Sequence, residues 1–230
     1  MRIAIIIPTL NEERALPLTL EIISGALPGA TVIVADGGSR DQTRLAAEQF
    51  ASDSIVWLEV EPGRGSQMNA GAARACEDIL LFLHADTHLP ATAGQLIASA
   101  LQDPEVIGGF FKISFQPVTR FTSFYAWLYN VRSLSKICYG DAAIFVRRGI
   151  FEALGGFRQA LIMEDLDFMM RLRRRGKVHY IKDAAVTTSS RQFATTSRGI
   201  KMAAVWLLLP VLFRLGVSQE QLARLYPASR

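Results

Sequence analysis

The sequence predicts an α/β fold in which a mostly parallel central sheet is flanked by helices and followed by a C-terminal helical tail. Three observations predict it. Up to Leu83, four apolar runs alternate with helix-type segments. The runs are continuous rather than alternating, as in strands covered on both faces by crossover helices. Each run ends in polar residues or glycines, where open α/β sheets gather their ligands.

Ile3 to Ile7 is a β-branched first strand stopped by Pro8, and Asn11-Glu12-Glu13 opens a helical segment through about Ala26. Thr31 to Ala35 is the second strand, ending at Asp36-Gly37-Gly38-Ser39. Ser39-Arg40-Asp41-Gln42 supplies a capping start for a helix through Phe50. Strand three covers Ser54 to Val60; the Pro62-Gly63-Arg64-Gly65 turn leads to a helix over Ser66 to Cys76, and strand four is Ile79 to Leu83. Further on, Val106 to Phe115 reads as a strand and Phe121 to Ser135 as a helix whose Phe124, Tyr125, Trp127, Leu128 and Tyr129 form a core-type stripe. Tyr139-Gly140-Asp141 opens an apolar strand through Val146, Gly155-Gly156-Phe157 marks a turn, and Glu164 starts a helix running through Arg175.

Half of the 230 residues are apolar, enough for one large domain with a sizeable core, expected over residues 1–195 with a helical extension at 196–230. Disorder is excluded on the same ground. Cys76 and Cys138 offer neither a disulfide framework nor metal-type spacing. Met1-Arg2 leads directly into a strand with no apolar signal region, so a cytoplasmic location is the default, with the inner membrane face as a variant of it. The formal charge of +4 and pI near 9.3 suit nucleotide phosphates, nucleic acid or an anionic membrane. No nucleic-acid-binding module is recognisable, so no nucleic-acid partner is expected. Met202 to Leu212 is almost wholly apolar between Lys201 and Arg214, but a bilayer needs about twenty residues of helix. That segment is expected to be a core helix, a homo-oligomer contact or an interfacial helix at a lipid acceptor.

The polar residues following the strands define a rim: Thr9, Asn11 and Glu12 after the first, Asp36 and Ser39 after the second, Arg64 after the third, Asp86 after the fourth. The fourth strand ends in His84-Ala85-Asp86-Thr87-His88, where three potential ligands share one face if the chain stays extended. Imidazole and carboxylate suit a divalent cation. A carboxylate after an early strand can bind a ribose or base edge, and Arg64 can neutralise a phosphate. Gly63-Arg64-Gly65 has only the first two glycines of a dinucleotide fingerprint, which disfavours a dehydrogenase. Asp36-Gly37-Gly38-Ser39 reverses the order of acid and glycine turn expected of a methyltransferase.

Ile5 to Glu12, Val34 to Ser39, Gly63-Arg64-Gly65, His84-Ala85-Asp86 and Met163-Glu164-Asp165-Leu166-Asp167 resemble, in order, the motifs of family 2 glycosyltransferases. Leu83 to Thr87 together with Tyr139-Gly140-Asp141 is most similar to a subgroup associated with radical SAM and selenium-domain proteins. The resemblance implies a GT-A fold, a UDP- or GDP-linked sugar as donor and an unidentified hydroxyl acceptor, lipid or small molecule. It implies that Pro8, Thr9 and Glu12 line the nucleotide pocket with Ser39 and Gly65, that Asp36 holds the base, and that Arg64 sits near the nucleotide. Asp86 matches the last acid of the Asp-any-Asp motif and would bind Mn²⁺ or Mg²⁺ on the diphosphate. His84 stands where that motif has its first acid; imidazole ligates Mn²⁺ but suits Mg²⁺ poorly, which favours Mn²⁺. His88 either completes the metal site or caps the next helix.

By the same resemblance, Asp165 is the base that activates the acceptor hydroxyl, Glu164 is its neighbour, and Gly140 and Asp141 lie beside the donor sugar or the acceptor. The expected outcome is inversion at the anomeric carbon. Taken singly, Glu164, Asp165 and Asp167 also read as first-turn acids facing Arg171 and Arg174. A transferase-like binding protein that has lost catalysis is the alternative, and a sugar nucleotidyltransferase is held in reserve, although the chain lacks its glycine-rich, lysine-bearing signature.

Overall fold

The computed structural model describes residues 1–50, 54–133, 138, 140–159, 162–191, 205, 208–213 and 215–225. The elements are β1 (Ile3–Thr9), α1 (Leu16–Ala26), β2 (Thr31–Asp36), α2 (Thr43–Glu48), β3 (Ile55–Glu59), α3 (Arg64–Arg74), β4 (Ile79–Phe82), β5 (Thr87–His88) and α4 (Ala93–Ala100). They continue through β6 (Val106–Gln116), α5 (Arg120–Ser133), a 3₁₀ turn at Gly140–Ala142, β7 (Ile144–Arg147), α6 (Arg148–Ala153), α7 (Glu164–Arg175) and β8 (Lys177–Ser189).

One sheet runs β3-β2-β1-β4-β7-β6-β8-β5. The first four strands pair in parallel, as the continuous apolar runs require: Ile5, Ile7, Val34, Leu80 and Leu81 have no exposed surface. Their register brings Thr9 beside Asp36. Helix α3 packs onto this half so closely that a Cβ at Gly71 would lie 2.5 Å from Ile6 Cγ2. The second half mixes directions: β7 is antiparallel to β4 and β6, β8 is parallel to β6, and β5 is antiparallel to β8.

Several expectations shift at their edges. Ser39 does not cap a helix, because its hydroxyl is taken by the backbone N–H of Asn11 and by Asp36; α2 starts only at Thr43. The first helix likewise begins at Leu16, since Asn11 to Glu13 are tied into the neighbouring loop. The chain does not stay extended from His84 to His88: a turn bonds the Thr87 N–H to the His84 carbonyl at 3.1 Å, breaking the alternation that would have aligned the three ligands. The stripe on α5 is split, with Tyr125 and Tyr129 in the core but Phe124 and Trp127 more than half exposed. Strand β8 has no clear sequence period because exposed Lys182 and Asp183 fall in an irregular stretch between the Ile181 and Ala185 pairings with β6.

Helix α7 occupies the predicted residues. Within Met202 to Leu212, residues 202–204, 206 and 207 lie outside the described residues; Leu209 is buried there, as is Leu222 further on. Among the described residues, no helix is long and apolar enough to cross a membrane.

Candidate active site

The carboxyl ends of β1 and β2 are locked together by side chains. Gln67 on α3 is buried and donates to the carbonyls of Thr9 and Ala35, both at 2.8 Å. Asp36 is 3% exposed and accepts four hydrogen bonds, from the Thr9 and Ser39 hydroxyls and from the backbone N–H groups of Gly38 and Ser39. A nucleobase edge can reach this carboxylate only if one of those donors lets go. Asn11 adopts φ 57° and accepts the Arg40 N–H through its side chain, while the Glu12 N–H is held by Thr43. Pro8, half-buried, lies in the same strand end opposite Ala35.

Beyond β4, Thr19 of α1 donates to the Ala85 carbonyl at 2.7 Å and fixes the turn that carries His84 and Asp86. His84 Nδ1 lies 2.7 Å from Asp141 Oδ1, in the 3₁₀ turn before β7. The other ring nitrogen, Nε2, is buried and has no hydrogen-bond partner among the described residues. As an imidazolium it would bury an unpaired donor; with the proton on Nδ1, shared with Asp141, it presents a lone pair. Burial would raise the Asp141 carboxyl, but His84, by charge and hydrogen bond, and Arg64 beyond it hold it below the ordinary range.

Asp86 is close enough for the charges of His84 and Arg191 to act on it. Burial nevertheless pushes its carboxyl above the usual value, helped by the nearby Asp141 and Glu12. Arg191, just past β8, grips the Glu12 carboxylate with both terminal nitrogens at 2.9 and 2.5 Å, and Nη2 lies 3.1 Å from Asp86 Oδ2. His88 sits on β5 opposite Thr187, and burial lowers its pKa against the pull of Asp86.

No three His, Cys, Asp or Glu side chains converge on a metal position among the described residues. The expected set of His84, Asp86 and His88 is therefore not assembled, because the turn at 84–87 separates them. A cation that completes its shell with phosphate oxygens needs only one or two protein ligands. The orphaned His84 nitrogen, braced by a carboxylate as metal-bound imidazoles commonly are, and the Asp86 carboxylate fit that need.

The start of α3 meets the start of α7. Arg64 Nε lies 3.8 Å from Glu164 Oε1, and a Cβ on Gly65 would come within 3.7 Å of the Glu164 side chain. Glu164 and Asp165 are 5% and 7% exposed, both in the first turn of α7, where Asp165 accepts the Leu166 N–H. Asp167 faces Arg171 at 2.7 Å and Arg158, but not Arg174. Two side chains place this helix end. Asn69 on α3 exchanges hydrogen bonds with the backbone of Phe157 at 2.7 and 2.9 Å, and Arg171 donates to the carbonyls of Leu154 and Gly156.

The structure thus gathers Thr9, Glu12, Asp36, Ser39, Arg64, Gly65, His84, Asp86, Asp141, Glu164 and Asp165 along one rim, with Gly140 in the turn that carries Asp141. His88 sits on β5, within reach of the Asp86 charge but in no three-ligand cluster among the described residues. Sequence reasoning missed Arg191, Gln67, Asn69, Thr19 and this use of Arg171. The only local signal for Arg191 is a lone cation closing the Thr187-Thr188-Ser189-Ser190 run.

The profile of Glycosyl transferase family 2 matches residues 4–181. A "PGL/p-HBAD biosynthesis glycosyltransferase" of Mycobacterium bovis is 29% identical over 229 residues, spanning 93% of this chain and 86% of the relative. Among solved structures, a mannosyltransferase from Pyrobaculum calidifontis in complex with GDP-Man and Mn²⁺ superposes with TM-score 0.73 at 20% identity, covering 99% of this chain and 70% of the other. Glucosyl-3-phosphoglycerate synthase from Mycobacterium tuberculosis, in complex with Mn²⁺, UDP and glucosyl-3-phosphoglycerate, superposes with TM-score 0.64 at 19% identity, covering 94% and 81%. The shared architecture is the GT-A fold.

Proposed function

The chain belongs to glycosyl transferase family 2 and is a glycosyltransferase, and from that premise we propose that it moves a sugar from a UDP- or GDP-linked donor to a hydroxyl acceptor, with a divalent cation and inversion at the anomeric carbon. The observation that carries the metal reading is the buried Nε2 of His84, without a partner among the described residues, on a ring held through Nδ1 by Asp141 and followed two residues later by Asp86. His84 and Asp86 would hold the ion, with Mn²⁺ favoured over Mg²⁺ by the nitrogen donor. When bound, such an ion supplies electrophilic stabilisation of the departing diphosphate. Similar folds solved with Mn²⁺ and nucleotides support this reading.

Pro8, Thr9, Glu12, Asp36, Ser39 and Gly65 would line the nucleotide pocket, and Arg64 would meet the negative charge that grows on the leaving group. Asp165 would take the proton of the acceptor hydroxyl as its oxygen bonds to the anomeric carbon and the bond to the diphosphate breaks. Glu164, 3.8 Å from Arg64, links the two halves of the site. Asp141, which the resemblance sets beside the donor sugar or the acceptor, is better supported as the residue that orients His84. His88 has weaker support as a ligand. The Leu83 to Thr87 and Tyr139-Gly140-Asp141 sequence motifs favour the radical SAM and selenium-domain-associated subgroup.

We take residues 1–195 as the catalytic unit and 196–230 as an extension packed on it, which the burial of Leu209 and Leu222 supports. A peripheral contact with an anionic bilayer is best placed on α5. Phe124, Trp127 and Val131 are exposed on it and Val118 just before it, and residues 106–140 contain Lys112, Arg120, Arg132 and Lys136 but no Asp or Glu.

Calorimetric titration with UDP and GDP, each with Mn²⁺, Mg²⁺ or chelator, tests the donor site. Metal-dependent binding of one nucleotide supports it and names the base; no binding of either under any condition sinks it. The reading without turnover draws on His84 in place of an acid; Asp86→Asn should abolish turnover in an enzyme and only weaken nucleotide binding in a binding protein.

A further inference from the structure

We propose that Arg191 is an internal counter-cation at the metal position, displaced from Asp86 when metal and nucleoside diphosphate bind together. This rests on the metal-dependent reading above.

The guanidinium forks onto Glu12 and reaches Asp86, the carboxylate that reading assigns to the cation. Both carboxylates are 16% exposed, while Arg191 is half exposed. A buried carboxylate left without a cation is costly, and Arg191 supplies one from the protein itself. Backbone bonds make its placement specific: the Ser189 N–H is bonded to the Asp86 carbonyl at 3.2 Å, the Ser190 N–H to the Gln116 carbonyl at 2.8 Å, and the Arg191 N–H to the Ser189 hydroxyl at 3.2 Å. The arginine therefore hangs from a strand end whose backbone is joined to Asp86, with a side chain long enough to move.

A guanidinium and a divalent ion repel one another on the same carboxylate. Metal alone must push Arg191 off Asp86 and leave it on Glu12, with no second anion to replace the lost contact. Metal arriving with a nucleoside diphosphate brings phosphate oxygens, and a planar fork suits those as well as it suits Glu12. Metal and nucleotide should therefore bind with positive coupling, and Arg191 carries that coupling.

The test is Mn²⁺ titration of the whole chain, read by loss of the free-ion electron paramagnetic resonance signal, with and without UDP or GDP. Arg191→Gln is expected to tighten binding of Mn²⁺ alone by about tenfold, to weaken binding of the nucleotide with Mn²⁺ by a similar factor, and to shrink a coupling that typically spans ~5–150-fold. Arg191→Lys keeps the charge and should bind Mn²⁺ alone as weakly as the native chain. If Arg191→Gln leaves the Mn²⁺-alone affinity unchanged while the native chain binds metal and nucleotide together, or if Arg191→Lys binds Mn²⁺ as tightly as Arg191→Gln, the counter-cation role is overturned and the metal-dependent reading stands. A native chain that binds Mn²⁺ with neither nucleotide overturns both.

Discussion

His84 illustrates how a single atom can carry a functional reading. Its Nε2 is buried without a partner among the described residues, a condition folded proteins avoid unless something else completes the bond. Asp141 is expected to act through it. Asp141→Asn should lower Mn²⁺ affinity by about 10–100-fold, as for other carboxylates behind a ligating imidazole. Metal titration followed by circular dichroism checks this, since the fold should be unchanged. For Asp165, replacement by Asn should cut turnover by ~10²–10⁴ while leaving nucleotide binding within a few fold. Single-turnover kinetics beside calorimetry would show the split; equal losses in both would reassign the residue to binding. The types of these residues were legible from sequence, but their partners were not. Asp141 lies far from His84 along the chain, so no local pattern could reveal the contact.

The helix ends, not the helices themselves, position the chemistry. Helix α7 was predictable residue by residue, with acids in its first turn and arginines in its last. What fixes its start against α3 is the Asn69 clamp and the Arg171 contacts to the Gly155-Gly156 turn. Asn69→Ala is expected to cost roughly 1–3 kcal/mol, since it strands both the N–H and the carbonyl of Phe157, and urea denaturation measures it. Gly156→Ala should also destabilise, because its φ of 65° is left-handed and a Cβ there would lie 2.5 Å from Asn69 Oδ1. At the opposite end of the sheet, Glu77 accepts bonds from Thr31 and the Cys76 N–H. Burial works to raise its pKa, but these bonds and Arg2 lower it overall. A lowered folded pKa means stability present above the ordinary carboxyl value and lost as pH falls through the folded one. Glu77→Gln should flatten that acid limb in thermal melts taken at pH values falling below the ordinary carboxyl value.

At the scale of the molecule, one sheet joins a parallel half that presents the polar rim to a mixed half that presents the acid-bearing helix, and α5 leaves an aromatic stripe exposed. If that stripe meets a bilayer, the double substitution Phe124→Ser and Trp127→Ser should reduce co-sedimentation with anionic vesicles several fold without altering nucleotide binding. Retention on vesicles equal to that of the native chain would place the contact elsewhere.

The sequence by itself determined the parallel half, because continuous apolar runs fit only strands covered on both faces, and it determined the polar rim, because strand ends are where such runs stop. The tertiary structure decided the rest. It added β8 and β5, whose pairings join distant segments and leave no regular period. It turned the chain at His84 to Thr87, separating His88 from its neighbours. It also brought Arg191 back across the sheet onto Glu12 and Asp86, because the charge balance of a buried carboxylate is settled by whatever cation the fold delivers to it.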